Sequence, residues 1–229
     1  MDIDGTLLHG SPRAHTQALA GVMAGVHGTP VGIEDVAAIR PAGRTDREIV
    51  RLVLSAAGLG RREIDQGMAA VVAQAAARYP AAEAASPPRA APDAAAALER
   101  LSRAGVTLAL LTGNLEPIAR AKMAHAGLAG FFPAGEGAFG SDHERRDALV
   151  PVAIARARAA SRCAEPAVVV GDTPRDIACA RAGGALCVAV ATGTHPAADL
   201  GEADAVVGDL SAAAAVILGW KAGRYSSRA

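Results

Sequence analysis

The first residues of the chain, MDIDGTLLHG, place two carboxylates one residue apart, at Asp2 and Asp4. Two carboxylates held together can divide a reaction between them, one attacking an electrophilic centre and the other transferring a proton. A simpler interpretation needs no chemistry, because Asp4, Gly5 and Thr6 also form an Asp-Gly turn signal. The choice between the two depends on which other residues the fold brings to the pair.

A second candidate stretch is LLTGNLEP, in which a predicted strand ends at Thr112 and a helix begins near Glu116. A hydroxyl group and the free backbone N–H groups at a helix N-terminus can bind an anion. The alternative is an ordinary helix cap, with Asn114 as the N-cap residue. Taken alone, the stretch favours the cap.

The third stretch, VVVGDTPRDIACARAGG, places Asp172 at the end of a buried strand and Asp176 four residues later, inside the next helix. Capping accounts for part of it: Thr173 suits the N-cap, Pro174 the first helical position, and Asp176 the third position of a capping box. Capping gives no reason for a carboxylate at Asp172.

Four apolar runs predict the strands that carry these residues. Each run is apolar on both faces, as in a buried parallel strand, and the runs cover residues 106–112, 167–172 and 186–192, with a weaker one at 205–207. Helical patterns separate them, at residues 93–104, 115–126, 145–162 and 175–183. This alternation predicts an α/β fold with a doubly wound, Rossmann-like parallel sheet.

The segment after the first ten residues differs, because it has helical periodicity and no convincing strand over about 70 residues. The alanine- and proline-rich stretch PAAEAASPPRAAPD then predicts a linker that returns to the sheet. We therefore expect an all-helical cap domain at 12–85, inserted into an α/β core of 1–11 and 86–222, with a polar tail at 223–229.

The predicted fold brings the candidate residues together. In open parallel sheets, ligands bind at the carboxyl ends of the strands, where the strand order reverses. Asp2, Asp4, Thr112 and Asp172 all come from such ends. Converging carboxylates raise one another's pKa unless a cation neutralises them, and oxygen ligands without His or Cys suit a hard ion, Mg²⁺ first. The sequence thus predicts a magnesium site beside a phosphoryl-binding loop.

The stretches DIDGTLL, LLTGN and VVVGDTPRD resemble three of the four signature motifs of the haloacid-dehalogenase-like hydrolase superfamily. The resemblance covers essentially the whole chain, including a helical cap inserted after the first motif, and the cap with its GRTD stretch at 43–46 looks most like the phosphoglycolate phosphatase branch. The remaining motif of the family is usually a lysine, but the chain has no lysine between Lys122 and Lys221. Arg146 stands in that place, with Arg145 as its rival. Lys122 could also reach in, or be a solvated helix residue.

The resemblance implies Mg²⁺-dependent hydrolysis of a small-molecule phosphate monoester through an aspartyl-phosphate. Asp2 would be the nucleophile, and Asp4 would protonate the leaving group and then activate water. The metal would be held by Asp2, the Asp4 carbonyl, Asp172 and Asp176, and Thr112, Gly113 and Asn114 would bind the phosphoryl group beside Arg146. Arg44, Thr45 and Asp46 are candidates for substrate contacts, although Thr45 or Asp46 could instead cap a helix. A phosphomutase and a start-truncated, non-catalytic member are the alternatives.

Composition limits the possible partners. Basic and acidic residues number 23 each, so the net charge of zero argues against a nucleic-acid binder. No apolar stretch has the length of a membrane span, and the acidic start is not a signal peptide. Three cysteines without metal-like spacing favour a reduced, cytoplasmic protein. We expect a small-molecule phosphate ester as the partner, and a monomer or homodimer.

In the family, the Asp2–Asp4 pair follows a central apolar strand, whereas here only Met1 precedes it. We therefore expect that the sequence lacks its first central strand, for example through a start codon assigned too far downstream. Without that strand, the strands ending at Thr112 and Gly171 would border a gap with unpaired backbone groups. In-frame upstream codons for a short apolar run would support this expectation, and a stop codon just before Met1 would contradict it.

Overall fold

The computed structural model describes residues 1–10, 13–85, 87–162 and 166–223. Cys163 and all but the first residue of the predicted polar tail lie outside these ranges. The two predicted boundaries between core and cap, at 11/12 and 85/86, each include at least one residue outside them.

Parallel strands form the centre of the molecule. They make two groups, β3 with β4 and β5–β6–β7 in that order; the bounds are Leu111–Thr112 for β3, Ala138–Phe139 for β4, Val168–Gly171 for β5, Leu186–Val190 for β6 and Ala205–Val207 for β7. A separate antiparallel pair, β1 (Leu8–His9) and β2 (Arg89–Ala90), connects the two ends of the helical segment to the core. The prediction of a parallel α/β fold is confirmed.

Met1 and Asp2 join the two parallel groups. The Met1 nitrogen donates to Ala109 O at 2.9 Å, and Leu111 N donates to Met1 O at 2.8 Å. On the other side, Asp2 N donates to Val170 O at 2.8 Å. The first two residues therefore lie between the neighbouring backbones in the position of a central strand, and Asp2 stands at its carboxyl end.

The strand predicted at 106–112 is shorter in the structure, where only Leu111–Thr112 forms a strand. The reason is local, because Met1 provides a neighbour for residues 109–111 and the residues ahead of them border a cavity. The sequence analysis did not predict β4 because its two residues follow the glycine-rich stretch AGEG and show no strand periodicity.

Helices cover both faces of the sheet, as a doubly wound fold requires. Alternate residues of β6 separate the two layers, since Val188 and Val190 pack in one apolar cluster and Cys187 and Ala189 in another. The core helices are α5 (Ala94–Arg103), α6 (Glu116–His125), α7 (Leu149–Ala159), α8 (Pro174–Ala182) and α9 (Leu210–Lys221). Among the described residues, no helix combines the length and apolarity needed to cross a membrane.

The helical segment has an apolar cluster of its own. Its helices are α1 (Arg13–His27), α2 (Ile33–Ala38), α3 (Asp46–Ala56) and α4 (Arg61–Ala85). Leu115 and Ile118, at the start of α6, also belong to this cluster and so tie the segment to the core. The predicted linker at 80–93 is partly wrong: α4 continues through Pro80 to Ala85, because the alanine-rich sequence favours helix.

Candidate active site

Three buried carboxylates, those of Asp2, Asp172 and Asp176, meet at the carboxyl ends of the central strands. One oxygen from each lies within 4.8 Å of the others. Asp2 follows the strand-like Met1, Asp172 follows β5, and Asp176 lies in the first turn of α8. Strand ends in parallel register present side chains at one edge of the sheet, and three of the four aspartates predicted as metal ligands have their carboxylates together there.

Glycines let the backbone approach these acids closely. A Cβ on Gly5, which has φ of +83°, would lie against the Asp172 carboxylate, and a Cβ on Gly193 would overlap the same group. A Cβ on Gly171 would overlap the side chain of Asp176. Main chain therefore closely approaches the cluster at these three glycines, where no larger side chain fits.

Hydrogen bonds fix the orientation of two of the acids. Thr6 Oγ1 donates to Asp172 Oδ1 at 3.0 Å, a contact between residues 166 apart that the turn signal at Thr6 did not predict. Thr173 and Asp176 form the predicted capping box, with Thr173 N donating to Asp176 Oδ2 at 3.0 Å. Oδ1 of Asp176 takes no part in that box. Asp176 can therefore cap the helix and contribute to the acid cluster at the same time.

Arg146 is the cation of the cluster. Its Nη2 lies 3.2 Å from Asp2 Oδ1 and also contacts Asp176 Oδ1, while Nη1 donates to Gly43 O at 3.1 Å. Its Nε is buried and makes no hydrogen bond within the described residues. Arg145, the rival, is exposed and pairs with Asp147 instead. Of the two arginines, Arg146 is the one placed where the family lysine was expected.

The electrostatics of the cluster favour an additional cation. Burial raises the pKa of Asp2 to about 6, with the negative charge of Asp176 adding to it and Arg146 opposing it. Burial and the charge of Asp2 raise the pKa of Asp172 to about 8. A single guanidinium thus balances three carboxylates incompletely. A divalent cation would let all three ionise, and an all-oxygen ligand set of this kind fits Mg²⁺.

The same pKa values predict that, in the presence of a chelator, stability falls as the pH rises from about 4 to about 6. An acid whose folded pKa is raised stabilises the fold below its unfolded pKa, here 3.8, and loses that contribution as the pH rises through the folded pKa. Both Asp2 and Asp172 act in this direction. Burial lowers the pKa of the Met1 amino group to about 6, which has the opposite effect and offsets Asp172 between pH 6 and 8.

Calorimetry in EDTA measures this effect. We expect the melting temperature to fall by roughly 5 °C between pH 4.5 and 6, on the order of 2 kcal/mol. Asp172→Asn removes one of the two titrating acids and should halve the fall, while the exposed Asp199→Asn should leave it unchanged. A melting temperature that rises over this range, with the same slope in Asp172→Asn, would contradict the assignment.

Asp4 stands beside the cluster in a different setting. Its carboxylate accepts hydrogen bonds from Lys122 Nζ at 2.6 and 2.8 Å and from Asn114 Nδ2 at 2.9 Å. Partial burial would raise the pKa of Asp4, but the charges of Lys122 and His15 hold it below its usual range. The structure therefore presents Asp4 as a carboxylate, next to an Asp2 whose pKa is shifted upward.

Lys122 connects Asp4 to the helical segment. It is 2% exposed, and its Nζ also donates to Asn114 Oδ1 at 2.6 Å and lies 3.3 Å from His15 Nδ1. His15 Nε2 in turn lies 3.0 Å from Asp46 Oδ2. The prediction of a solvated Lys122 is thus wrong, because the helical segment covers the face of α6 that carries it, with His15 of α1 and the Tyr79 ring of α4 beside the ammonium. The sequence analysis missed His15 altogether, since only packing shows that its neighbours are charged.

The loop after β3 is built differently from the predicted cap. Asn114 is not the N-cap of α6, because Leu115 holds that position and no side chain caps it. The Asn114 side chain instead donates to Thr112 Oγ1 at 2.9 Å and to Asp4. A Cβ on Gly113 would overlap Arg44 O, so only glycine allows this close contact with the helical segment.

The GRTD loop lies directly on the core. Asp46 N donates to Gly113 O, and Asp46 Oδ2 accepts from Leu115 N at 2.7 Å. Thr45 is the N-cap of α3, as the alternative prediction had it, and its hydroxyl donates to Glu144 O. The Arg44 guanidinium contacts Glu48 and the Ile39 carbonyl. In this arrangement the Thr45 and Asp46 side chains connect cap and core, whereas the Arg44 side chain bonds within the cap.

An ion-pair group that was not predicted adds to this contact. Arg51 of α3 pairs with Glu144 of the core and with Asp65 of α4, its Nη2 lying 2.8 Å from Asp65 Oδ1. Arg175 Nη1 donates to Ala42 O at 2.8 Å. The helical segment is therefore held over the acids by several polar contacts, and nothing in the sequence spacing of these residues indicates that they meet.

A parallel α/β core, a helical insertion over its strand ends and a buried acid cluster with one guanidinium define a hydrolase of the haloacid dehalogenase-like type. The haloacid dehalogenase-like hydrolase family matches residues 1–184, and the chain belongs to that family. No curated protein sequence is significantly similar to the chain.

Solved structures with the same fold cover nearly all of the chain. CbbY from Rhodobacter sphaeroides, in complex with phosphate, has a TM-score of 0.65 at 18% identity, covering 92% of both chains. A predicted phosphoglycolate phosphatase from Haemophilus somnus has a TM-score of 0.66 at 16% identity, covering 94% of this chain and 95% of its own. A putative β-phosphoglucomutase from Thermotoga maritima has a TM-score of 0.58 at 18% identity, covering 95% and 96%. At such identities the likeness concerns the fold.

Proposed function

We propose that the protein is a Mg²⁺-dependent phosphatase that hydrolyses a small-molecule phosphate monoester through an aspartyl-phosphate on Asp2. The observation that carries the proposal is the buried group of Asp2, Asp172 and Asp176, which share one guanidinium and lie next to a second, separately held carboxylate at Asp4. Two aspartates one residue apart, in unlike environments, suit two different roles in one reaction.

Asp2 is the proposed nucleophile. Its carboxylate is fixed by Arg146 and follows a backbone that is hydrogen-bonded on both sides, at Met1 and at Asp2 itself. A nucleophile held in one orientation attacks phosphorus in line with the leaving group. Formation of the aspartyl-phosphate divides the hydrolysis into two displacements, of which the second releases inorganic phosphate to water.

Asp4 is the proposed acid and base. It must donate a proton to the leaving alkoxide in the first displacement and remove one from water in the second. With Lys122 and Asn114 on its carboxylate, Asp4 has the form that the second step needs. The first step requires a protonated Asp4, so the proposal implies that its contact with Lys122 loosens when substrate binds.

Magnesium fits the acid cluster as the resident cation. Asp2, Asp172 and Asp176 would hold it through carboxylate oxygens, together with the backbone carbonyl of Asp4, and the ion would offset negative charge on the phosphoryl oxygens. The residues around it have tasks of their own. Thr6 orients Asp172, and the capping box orients Asp176.

Binding of the phosphoryl group falls to Thr112, Gly113, Asn114 and Arg146 in this proposal. Arg146 supplies a fixed positive charge, and its buried Nε has no hydrogen-bond partner among the described residues. Thr112 and Asn114 are buried at the strand end. We assign no step to Arg44 or Thr45, whose side chains are engaged with Glu48, Ile39 and Glu144. They are proposed as substrate contacts only after a movement of the GRTD loop.

The proposal is tested by phosphate release from p-nitrophenyl phosphate and then from a panel of phosphorylated metabolites. We expect turnover with Mg²⁺, at least tenfold lower turnover in EDTA, and recovery when Mg²⁺ is added in excess. Ca²⁺ at equal concentration is a matched control. We expect this larger ion to bind the carboxylates but, because its coordination geometry is different, not to support turnover.

Product analysis with sugar phosphates separates the alternatives. Inorganic phosphate as the product supports the phosphatase, whereas conversion to an isomeric sugar phosphate without phosphate release would replace it with a phosphomutase. Binding of Mg²⁺ and phosphate by calorimetry without turnover of any monoester would instead indicate the non-catalytic member and overturn the proposal.

A further inference from the structure

The buried ammonium of Lys122 has an acceptor for each of its hydrogens. Its Nζ lies 2.6 and 2.8 Å from the carboxylate oxygens of Asp4, 2.6 Å from Asn114 Oδ1 and 3.3 Å from His15 Nδ1. An ammonium has three N–H donors and no acceptor. Because a buried donor that loses its acceptor costs the desolvation of that group, the three partners together hold the ammonium in one place.

The contact with Lys122 selects one tautomer of His15. An ammonium only donates, so His15 Nδ1 accepts with its lone pair, and the hydrogen of the neutral imidazole lies on Nε2. Nε2 is 3.0 Å from Asp46 Oδ2, the acceptor that this hydrogen needs. An imidazolium would instead point a hydrogen at the ammonium. The charge that His15 adds near Asp4 belongs to that form, which histidine adopts in acid.

Asp46 is itself held by the start of α6. Its Oδ2 accepts from Leu115 N at 2.7 Å, at a helix N-terminus where a negative charge is favourable. Leu115 and Lys122 are about two helical turns apart, so they lie on the same face of the helix. Asp46 and His15 therefore follow one face of α6 and connect its N-terminus to its lysine.

We propose that His15 is a positioning residue for Asp4: oriented by Asp46, it supplies the third acceptor of the Lys122 ammonium and keeps that ammonium beside the acid/base. This inference rests on the proposed function, in which the contact between Lys122 and Asp4 loosens while Asp4 is protonated. At that stage the ammonium retains His15 and Asn114 as acceptors, so it stays within reach and returns when Asp4 ionises. Because His15 and Asp46 belong to α1 and α3, the helical segment takes part in the acid–base chemistry of the core.

The alternative is that His15 only attaches the helical segment to the core through Asp46. The two roles depend on different ring nitrogens, and two substitutions separate them. Asparagine at position 15 places its side-chain oxygen near the position of Nδ1, where it can accept from Lys122, but it is too short to reach Asp46. Glutamine places its terminal amide near the position of Nε2, where it can donate to Asp46, but it has no acceptor at the position of Nδ1.

The kinetic test measures phosphate release from p-nitrophenyl phosphate with Mg²⁺ at pH 7.5. We expect His15→Gln to lower kcat about tenfold with KM within about twofold of the parent, and His15→Asn to lower kcat by no more than about threefold. His125→Gln, on the exposed end of α6, is the matched control and should keep the parent kcat. An equal loss in the two His15 variants, a larger loss in His15→Asn, or no loss in either would overturn the positioning role.

A double substitution tests whether His15 acts through Lys122. In a Lys122→Met background, His15→Gln should lower kcat less than about twofold, because no ammonium is left to position. A tenfold loss in that background would contradict the inference.

Nitrogen-15 NMR of the unsubstituted protein at pH 7.5 tests the geometry without turnover. The imidazole signals of His15 are those missing from the spectrum of His15→Gln. We expect them to show a hydrogen on Nε2 and none on Nδ1. A hydrogen on Nδ1 would overturn the inference even if the protein is an active phosphatase. Absence of turnover in the parent would instead overturn the proposed function, and the positioning role with it, whichever tautomer is found.

Discussion

Asp2→Asn should lower kcat for phosphate release by about 10⁴-fold or more while leaving the protein folded. The amide keeps the shape of the carboxylate and its contact with Arg146 but cannot form the acyl phosphate. The variant also removes a carboxylate whose pKa burial raises to about 6. We therefore expect its melting temperature in EDTA at pH 7.5 to equal or exceed that of the parent, because one buried charge is lost.

Two comparisons make the result specific. Asp199→Asn, on the exposed surface, should retain full activity. Mass spectrometry of the parent, quenched in acid during turnover, should show an added phosphoryl group on the peptide that contains Asp2. Activity above 1% in Asp2→Asn, or a phosphoryl group on another residue, would rule out Asp2 as the nucleophile.

The acid cluster could be predicted because it depends on strand order and little else. Asp172 follows an apolar run and lacks a capping role, so its position at the sheet edge follows from the parallel topology. The interaction between Thr173 and Asp176 is local, because a capping box lies within four consecutive residues, and the structure contains this box as predicted. Features that are set by neighbouring residues in the sequence, or by the general geometry of parallel sheets, can therefore be predicted from the sequence.

The surroundings of Asp4 could not be predicted because they depend on how the helical segment docks. Lys122 lies in the middle of α6, where a lysine is usually solvated, and His15 lies on α1, more than 100 residues away. Their contact exists only because the helical segment, through α1 and α4, covers that face of α6. The helical periodicity of both segments is visible in the sequence, but the rotation of one helix against another is set by side-chain packing that periodicity does not specify.

Backbone hydrogen bonding between distant segments similarly limits the prediction of strands. The apolar pattern of residues 106–112 predicts a strand over its whole length, yet strand structure also needs a hydrogen-bonded neighbour. Met1 supplies one for residues 109–111, and a cavity lies beside the residues before them. Composition describes what a segment prefers, whereas pairing depends on segments elsewhere in the chain.

Lys122→Met should lower kcat by about 100-fold, within the range attributed to acid–base catalysis. The ammonium is the closest positive charge to Asp4, at 2.6 Å, and also holds Asn114 through its Oδ1. Without it, burial raises the pKa of Asp4 with only His15 and the Asn114 hydrogen bond to oppose the shift. The acidic limb of the pH–kcat profile, which reports the ionised Asp4 in the second displacement, should therefore move to higher pH.

The chain offers a matched control, because Lys221 is its only other lysine and is exposed, donating to Ala104 O and Gly105 O. Lys221→Met should keep both kcat and the pH profile. In an Asp4→Asn background, Lys122→Met should cost less than threefold, since a residue that acts through Asp4 has nothing left to position. A 100-fold loss in that background as well would show that Lys122 acts on another part of the site. An acidic limb that stays at the same pH in Lys122→Met would show that Lys122 does not set the pKa of Asp4.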